Sequence, residues 1–390
     1  MKRNILRLIV LMLAMTTAAG TCHANADRPD SLALDSVTLS LITCSPHEEI
    51  YSLYGHSALR YHNLQTGEDI AFNWGIFSFR KPFFVLRFVF GKTDYELALM
   101  PFDRFCQEYQ RWGSQVTEQV LNLTDNEKRG IIDALNENAL PQNRVYRYNF
   151  FYDNCSTRPR DIVEKNIKGR LLYDGREDYN PSWRTVIRQC TKRHPWATFG
   201  NDILLGVKAD RHTTRSEQEF LPKNLLYDFD HTQIYTDGNY RPLVKERNII
   251  VPAGVQIVKT DFPLTPTECG MLLLLATLVI FVLEWRRRKT YKYWDVALMT
   301  LTGLMGIVLF VMLFSEHPTT STNLQLLLLN PLHLIYIYKV ARRQKTIYWT
   351  LLLVMTLAFY AGGVLQQYAE GTAFLALCLL IRYVSNKRNE

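Results

Sequence analysis

The 390-residue chain has little cysteine and none of it paired: seven residues, with no CxxC spacing anywhere. That removes two common roles of clustered cysteine, the zinc knuckle and the thioredoxin-type redox pair. His194, His212 and His231 also lack ligand spacing and read as surface or capping residues. Nothing calls for a metal or an organic cofactor. The three residues before Cys22, Ala19-Gly20-Thr21, lack the Leu and the Gly or Ala of a lipoprotein signal. The net charge of +8 is not the footprint of a nucleic-acid binder. It comes partly from short basic clusters lying between apolar segments, which is a membrane pattern.

What is there begins with a leader. MKRNILRLIVLMLAMTTAAG has a basic start, a short apolar core and small residues after it. Ala24-Asn25-Ala26 predicts cleavage near Asp27, so residues 1–26 read as a signal peptide. An uncleaved anchor would export the following segment just as well. From Thr265 the solvent changes. Cys269 to Trp285, Trp294 to Phe314, Leu324 to Val340, Ile347 to Leu365 and about Thr372 to Val384 are apolar runs that approach or reach the ~20 residues needed to cross a bilayer. Arg286-Arg287-Arg288-Lys289, Arg342-Arg343-Lys345 and Lys387-Arg388 mark alternate loops, while 315–323 and 366–371 carry no Lys or Arg. The positive-inside rule then predicts a membrane domain of about five helices over 265–390, with residues 27–264 outside and the C-terminus in the cytoplasm.

The exported part reads as α+β. Val37 to Cys44 alternates and is β-branched, a strand. A second strand leaves Gly55 through His56 and His62, turns at Gln65-Thr66-Gly67-Glu68 and returns over Ile70 to Phe79. Thr93 to Arg111 and Thr124 to Asn138 read as helices, the second opening on a Thr124/Glu127 capping box. Val145 to Phe151 reads as a strand. Gly169 to Val258 is mixed and offers no evident chemistry. Phe77 to Phe90 interleaves aromatic and basic residues; it is either core or a segment that touches lipid. Cys44, Cys106 and Cys190 leave room for one disulfide.

Everything else can be read as serving Asn149 to Asp161, NFFYDNCSTRPRD. A strand end passes through Asp153 and Asn154 into Cys155, and a helix can start directly afterwards, with Pro159 tolerated in its first turn. The positive end of a helix favours thiolate over thiol. A thiolate needs a base and the base needs an orienting group; the candidates are His56 and Asn73, with His62 the rival orienter. Oxyanion support would come from N–H groups at the helix start, helped by Arg158 or Tyr54. The loop at His317 lies outside the membrane, on the side of the exported domain. Asn330 and His333 sit at membrane level, where polar groups either pair with neighbouring helices or work.

An NC motif at a helix start, with the His earlier in the chain, resembles the permuted papain-like NlpC/P60 group, which includes lecithin:retinol acyltransferase-like enzymes. More closely, YGHSALR (Tyr54 to Arg60), FNWGIF (Phe72 to Phe77), YNFFYDNCSTRPRD (Tyr148 to Asp161), HPTTSTN (His317 to Asn323) and NPLHL (Asn330 to Leu334) resemble the Lnb family of bacterial lipoprotein N-acyltransferases. The resemblance implies a periplasmic catalytic domain over 27–264, with a permuted papain-like fold, tied to the inner membrane. It implies that Cys155 takes an acyl chain from a phospholipid as a thioester, with His56 as general base and Asn73 as orienter. The amine of a diacylglyceryl-cysteine lipoprotein would then receive the chain. Tyr54, Arg60, His62, Asn154, Arg158 and His317 become substrate-binding or transition-state support. Two other readings compete: a cell-wall cysteine amidase or peptidase, which gives five spans no role, and a non-enzymatic membrane receptor or assembly protein with a structural Cys155.

Overall fold

Strands β1 (Val37–Cys44), β2 (His56–Asn63) and β3 (Glu68–Ile76) form consecutive antiparallel neighbours, as their alternation and the Gly67 turn predict. The computed structural model describes residues 34–78, 80, 82–174, 179–256 and 262–388. The expected signal peptide, with Cys22 and Ala24-Asn25-Ala26, lies outside the described residues. Phe84–Val89 is a short helix, α1, and β4 is Asp94–Pro101. The helix expected from Thr93 is thus wrong over its first half. Tyr95 and Leu97 are buried while Glu96 and Ala98 are half-buried, a period of two that fits a pleated strand. Pro101 ends it, and the helix α2 begins only at Phe102 and runs to Arg111.

Val116–Leu121 is β5 and Asp125–Ala139 is α3, opened by the expected capping box between Thr124 and Glu127. The strand expected to reach Phe151 stops early, as β6 (Val145–Arg147). Asn149 ends the extended run, its Oδ1 accepting from the N–H groups of Phe151 (3.1 Å) and Tyr152 (3.2 Å). Thr157–Asn166 is α4. Beyond it come β7 (Arg170–Leu172), α5 (Trp183–Thr191), α6 (Pro195–Leu204), α7 (Arg215–Gln218), α8 (Pro222–His231), β8 (Gln233–Thr236), β9 (Asn239–Pro242) and β10 (Val244–Val251).

Among the described residues the main sheet is antiparallel in the order β10-β5-β1-β2-β3-β4-β6. One face buries Leu39, Leu41, Leu59 and Trp74 against Ile131 and Leu135 of α3 and Val163 of α4. The other buries Ile42, Ala58 and Ala71 against Phe102, Phe105 and Tyr109 of α2. Helices on both faces fix the central strands β2 and β3, from which His56 and Asn73 project. Cys44, Cys106, Cys155 and Cys190 are all free thiols.

The C-terminal part holds five apolar helices among the described residues: α9 (Pro266–Arg287), α10 (Lys292–Met312), α11 (Leu332–Ala341, preceded by a 3-10 turn at Leu324–Leu327), α12 (Tyr348–Gly362) and α13 (Thr372–Arg388). Pro266–Arg287, Lys292–Met312 and Leu324–Ala341 are long and apolar enough to cross a membrane, at 22, 21 and 18 residues. The helices α12 and α13 are shorter, at 15 and 17 residues. His333 takes the pairing reading: Nδ1 meets the Tyr348 hydroxyl at 2.8 Å and Nε2 the Leu328 carbonyl at 3.0 Å.

The Gly169 to Val258 stretch supplies the joint between the two parts. Asn323 Nδ2 donates to the Ile203 carbonyl (2.7 Å), Gln325 Nε2 to that of Asp202 (2.8 Å) and Gln366 Nε2 to that of Leu205 (3.0 Å). The N–H groups of Gly206 and Val207 donate to the carbonyls of Thr319 (2.8 Å) and Thr322 (2.7 Å). Arg188 pairs with Asp202 at 2.9 Å and reaches Gln367 Oε1 at 2.6 Å. Polar groups at the mouth of an apolar bundle are therefore satisfied by the domain above it.

Candidate active site

Strand β3 carries a bulge at Gly75: Trp74 pairs with Leu97 and Ile76 with Glu96, so two residues oppose one. Gly75 has φ +98°, a conformation few side chains tolerate, and a Cβ there would lie 3.6 Å from Cys155 Cβ. Bulges of this kind re-aim strands beside functional sites. Here it lets β3 pass close to the turn that carries the cysteine. That turn is built by Asn154, almost fully buried. Its Oδ1 accepts from the N–H groups of Ser156 (2.8 Å) and Thr157 (3.0 Å), while its Nδ2 donates to the carbonyls of Phe150 (2.8 Å) and Phe220 (2.9 Å). Cys155 thus sits immediately ahead of the cap residue Ser156 of α4.

His56 opens β2, and Asn73 lies on the neighbouring strand. His56 Nε2 meets Asn73 Oδ1 at 2.6 Å. An amide oxygen only accepts, so Nε2 carries the proton and Nδ1 is the nitrogen left for the Cys155 thiol, with which the imidazole is hydrogen-bonded. The ring also stacks on Tyr109 of α2, centroids 6.2 Å apart. A buried hydroxyl pair, Ser57 and Ser156 at 3.0 Å, ties the residue after His56 to the residue after Cys155.

Burial alone would push the Cys155 thiol up. It is outweighed by the His56 charge, the His56 hydrogen bond and the N–H groups of Ser57 and of Cys155 itself, which hold the thiol below its ordinary range. Burial likewise opposes charge on His56, but the Cys155 thiolate, its hydrogen bond and that of Asn73 bring the imidazole above its ordinary value. The two shifts have one cause: a thiolate on Cys155 and an imidazolium on His56 each favour the other. The other thiols go the opposite way: burial pushes Cys106 and Cys190 each up to about 11. A thiol so placed beside an oriented imidazole has the arrangement that cysteine nucleophiles require.

Cys155, His56 and Asn73 open into a cavity of about 400 Å³ whose walls are largely aromatic, including Tyr51, Phe77, Tyr95, Trp112, Tyr148 and Phe220. Burial and the Cys155 charge push the Tyr95 hydroxyl up to about 12, so this wall stays neutral. Tyr54 also lines the cavity, its hydroxyl oxygen accepting from Asn201 Nδ2 at 2.8 Å.

The remaining sequence candidates stand elsewhere. Arg158 is bidentate to Asp153 (2.6 and 2.9 Å) and lies 3.6 Å over the Tyr146 ring, outside the cavity lining. Arg60 pairs with Asp69 (2.7 Å) and Glu118 (2.8 Å) and covers the Phe102 ring. His62 shares a face with His56, but six residues along a strand is about 20 Å, and it contacts Arg60. His317 meets the Phe88 carbonyl at 2.8 Å, away from the thiol. Sequence reasoning missed Tyr109, Ser57, Ser156 and the Ser57 N–H. Only their adjacency to His56 and Cys155 marks the two serines, and nothing local marks Tyr109. Among the described residues there is no cluster able to hold a metal ion.

Two family models match the chain: the Lnb N-terminal periplasmic domain over residues 26–189 and the Lnb transmembrane domain over residues 257–389. No curated protein and no solved structure matches it. The two matches follow one another in the order in which the structure places a mixed α+β domain and a bundle of apolar helices, and the chain belongs to the Lnb family, a membrane protein with a periplasmic N-terminal domain.

Proposed function

We propose that the protein is a lipoprotein N-acyltransferase of the bacterial inner membrane, its C-terminus cytoplasmic, working through an acyl-enzyme on Cys155. The observation that carries the reading is the Cys155 thiol hydrogen-bonded to His56, itself held by Asn73, in an aromatic cavity of a domain bonded directly onto a membrane bundle. Sγ attacks the ester carbonyl of a membrane glycerolipid, taken here as a phospholipid. The tetrahedral intermediate collapses, the lipid alkoxide leaves, and His56 supplies its proton. The α-amine of a diacylglyceryl-cysteine then attacks the thioester. His56 takes the proton from the amine, the amide forms and the thiolate leaves. The Cys155 N–H, at the start of α4, would donate to the oxyanion, with the Tyr54 hydroxyl on the cavity wall as its helper. Asn73 acts by fixing the ring, and Asn154 by fixing the turn.

The bundle favours this over a cell-wall amidase, since a substrate outside the bilayer needs one anchor and gives the joint no purpose. Intact-mass measurement of the purified protein and its Cys155→Ser variant after incubation with phospholipid vesicles tests the reading. A fatty-acyl increment is expected on the wild type, removed by hydroxylamine and absent from the variant. Chains isotopically labelled in the vesicle lipid, or instead in the lipoprotein, identify the donor. Failure of any lipid to acylate Cys155 overturns the proposal.

A further inference from the structure

Helix α1 has no buried residue. Phe83 is 78% exposed, Val85 72%, Leu86 53% and Phe88 43%, a contiguous apolar surface of the kind that marks an interaction site. Its position says what covers it. His317 Nε2 bonds the Phe88 carbonyl (2.8 Å), and the N–H of Glu316 donates to the Phe90 carbonyl (3.0 Å). The Glu316 carboxylate pairs with Lys92 (3.5 Å) and Arg147 (3.4 Å). Glu316 and His317 belong to the loop between α10 and α11, directly after Phe314, itself 66% exposed. Helix α1 therefore stands at the level where the bundle helices end. Arg80 and Lys92 are exposed beside it, and aromatic residues rimmed by basic ones suit the headgroup boundary of a bilayer.

On its inner side Phe84 stacks on Phe77, centroids 5.7 Å apart at 18°. Phe77 in turn stacks on Tyr95 (4.9 Å) and meets the edge of Tyr51 (5.9 Å). Phe77, Tyr95 and Tyr51 line the cavity that holds Cys155. An unbroken aromatic path thus runs from the exposed helix to the wall of the cavity that holds the thiol.

We infer that α1 lies in the outer-facing leaflet with Val85, Leu86 and Phe88 among acyl chains, and that the Phe84–Phe77 pair is the entrance through which one acyl chain reaches Cys155. The first half stands by itself; the second rests on the acyl-transfer reading. The test uses the full-length protein in vesicles of phosphatidylethanolamine and phosphatidylglycerol, with the photo-crosslinker p-benzoylphenylalanine in place of Leu86. Illumination gives a lipid-mass adduct at this position. The same crosslinker in place of Tyr240, which is 66% exposed on β9, gives none. Absence of a lipid adduct at position 86 overturns insertion.

For the entrance, the double variant Val85→Glu/Leu86→Glu is expected to form acyl-enzyme from vesicles at least tenfold more slowly. Its Cys155 is expected to react with iodoacetamide at the wild-type rate, because neither residue touches the site. Wild-type acylation by that variant overturns the entrance. A wild-type protein that never acylates at all refutes the acyl-transfer reading and the entrance with it, while the crosslink still decides whether α1 sits in lipid.

Discussion

Cys155 differs from the other cysteines of the periplasmic domain in one respect: the groups aimed at its sulfur outweigh the burial that opposes its charge. Its pKa is lowered and that of His56 raised, so the thiolate persists to lower pH than an ordinary cysteine and the imidazolium to higher pH than an ordinary histidine. Iodoacetamide should therefore modify Cys155 rapidly at neutral pH, while Cys106 and Cys190, raised by burial, react slowly. Removing the partner by His56→Ala should move the alkylation profile to higher pH and slow modification at pH 7 by about tenfold or more. A profile that does not move would mean that His56 does not hold the thiolate. Asn73→Ala should leave Cys155 alkylatable but cut acyl-enzyme formation by about 10- to 100-fold, since the ring loses the acceptor that fixes its tautomer. At this scale the sequence was informative for Cys155, His56 and Asn73, because a thiolate requires a base and a base requires an orienting group. It was mute on Tyr109, which approaches His56 only because α2 folds back across the sheet, and on Ser57, whose contribution to the thiolate is a backbone N–H.

Among the elements, the bulge at Gly75 does what no side chain could. It turns β3 towards the cysteine while leaving Asn73 paired with Ala98 of β4. Gly75→Ala should cost about 1–3 kcal/mol, read as a lower melting temperature, and should also lower the acylation rate because β3 is displaced where it meets Cys155. Gly67 has a similar φ of +76° with nothing within 4 Å of its added Cβ. Gly67→Ala should show a comparable loss of stability and a normal acylation rate; equal acylation losses in both would remove the local role given to the bulge. The elements also show where pattern reading fails. TDYELALMPFDRFCQEYQR fits a helix if read as one run, yet Tyr95 and Leu97 are buried in alternation until Pro101, and only the remainder keeps helical period. Two elements of different period that meet at a single residue, Pro101, look like one, because a proline is also tolerated at a helix start. The strand before Cys155 was overextended for the converse reason: Phe150 and Phe151 are β-formers, but Asn149 bonds their neighbourhood into a turn.

For the whole molecule, the apolar runs announced a membrane bundle, because a stretch of bilayer-spanning length needs no tertiary context to be recognised. The joint could not be read that way. Its partners are separated by more than a hundred residues, and Gly169 to Val258 carries no motif, yet it holds the domain onto the bundle. Gly206 marks how closely the two approach: a Cβ there would stand 2.0 Å from the Thr322 carbonyl oxygen. Arg184 is wholly buried and anchors the arrangement, bonded to Asp202 (3.2 Å), to Asp210 (2.8 Å) and to the carbonyls of Leu205 (3.0 Å) and Gly206 (3.2 Å). Removing one partner from a buried ion pair typically costs about 3–5 kcal/mol, because the other charge is left uncompensated. Asp202→Asn keeps the shape and removes the charge. Arg184 retains Asp210, so the loss should fall near the lower end, about 3 kcal/mol, seen as a lower melting temperature in detergent. The same variant should acylate from vesicles more slowly than its Cys155 alkylation rate predicts, since a loosened joint holds the cavity less well against the leaflet while leaving the thiolate intact. If vesicle acylation and alkylation fall together, or neither falls, the joint does not place the site and the bundle serves only as an anchor.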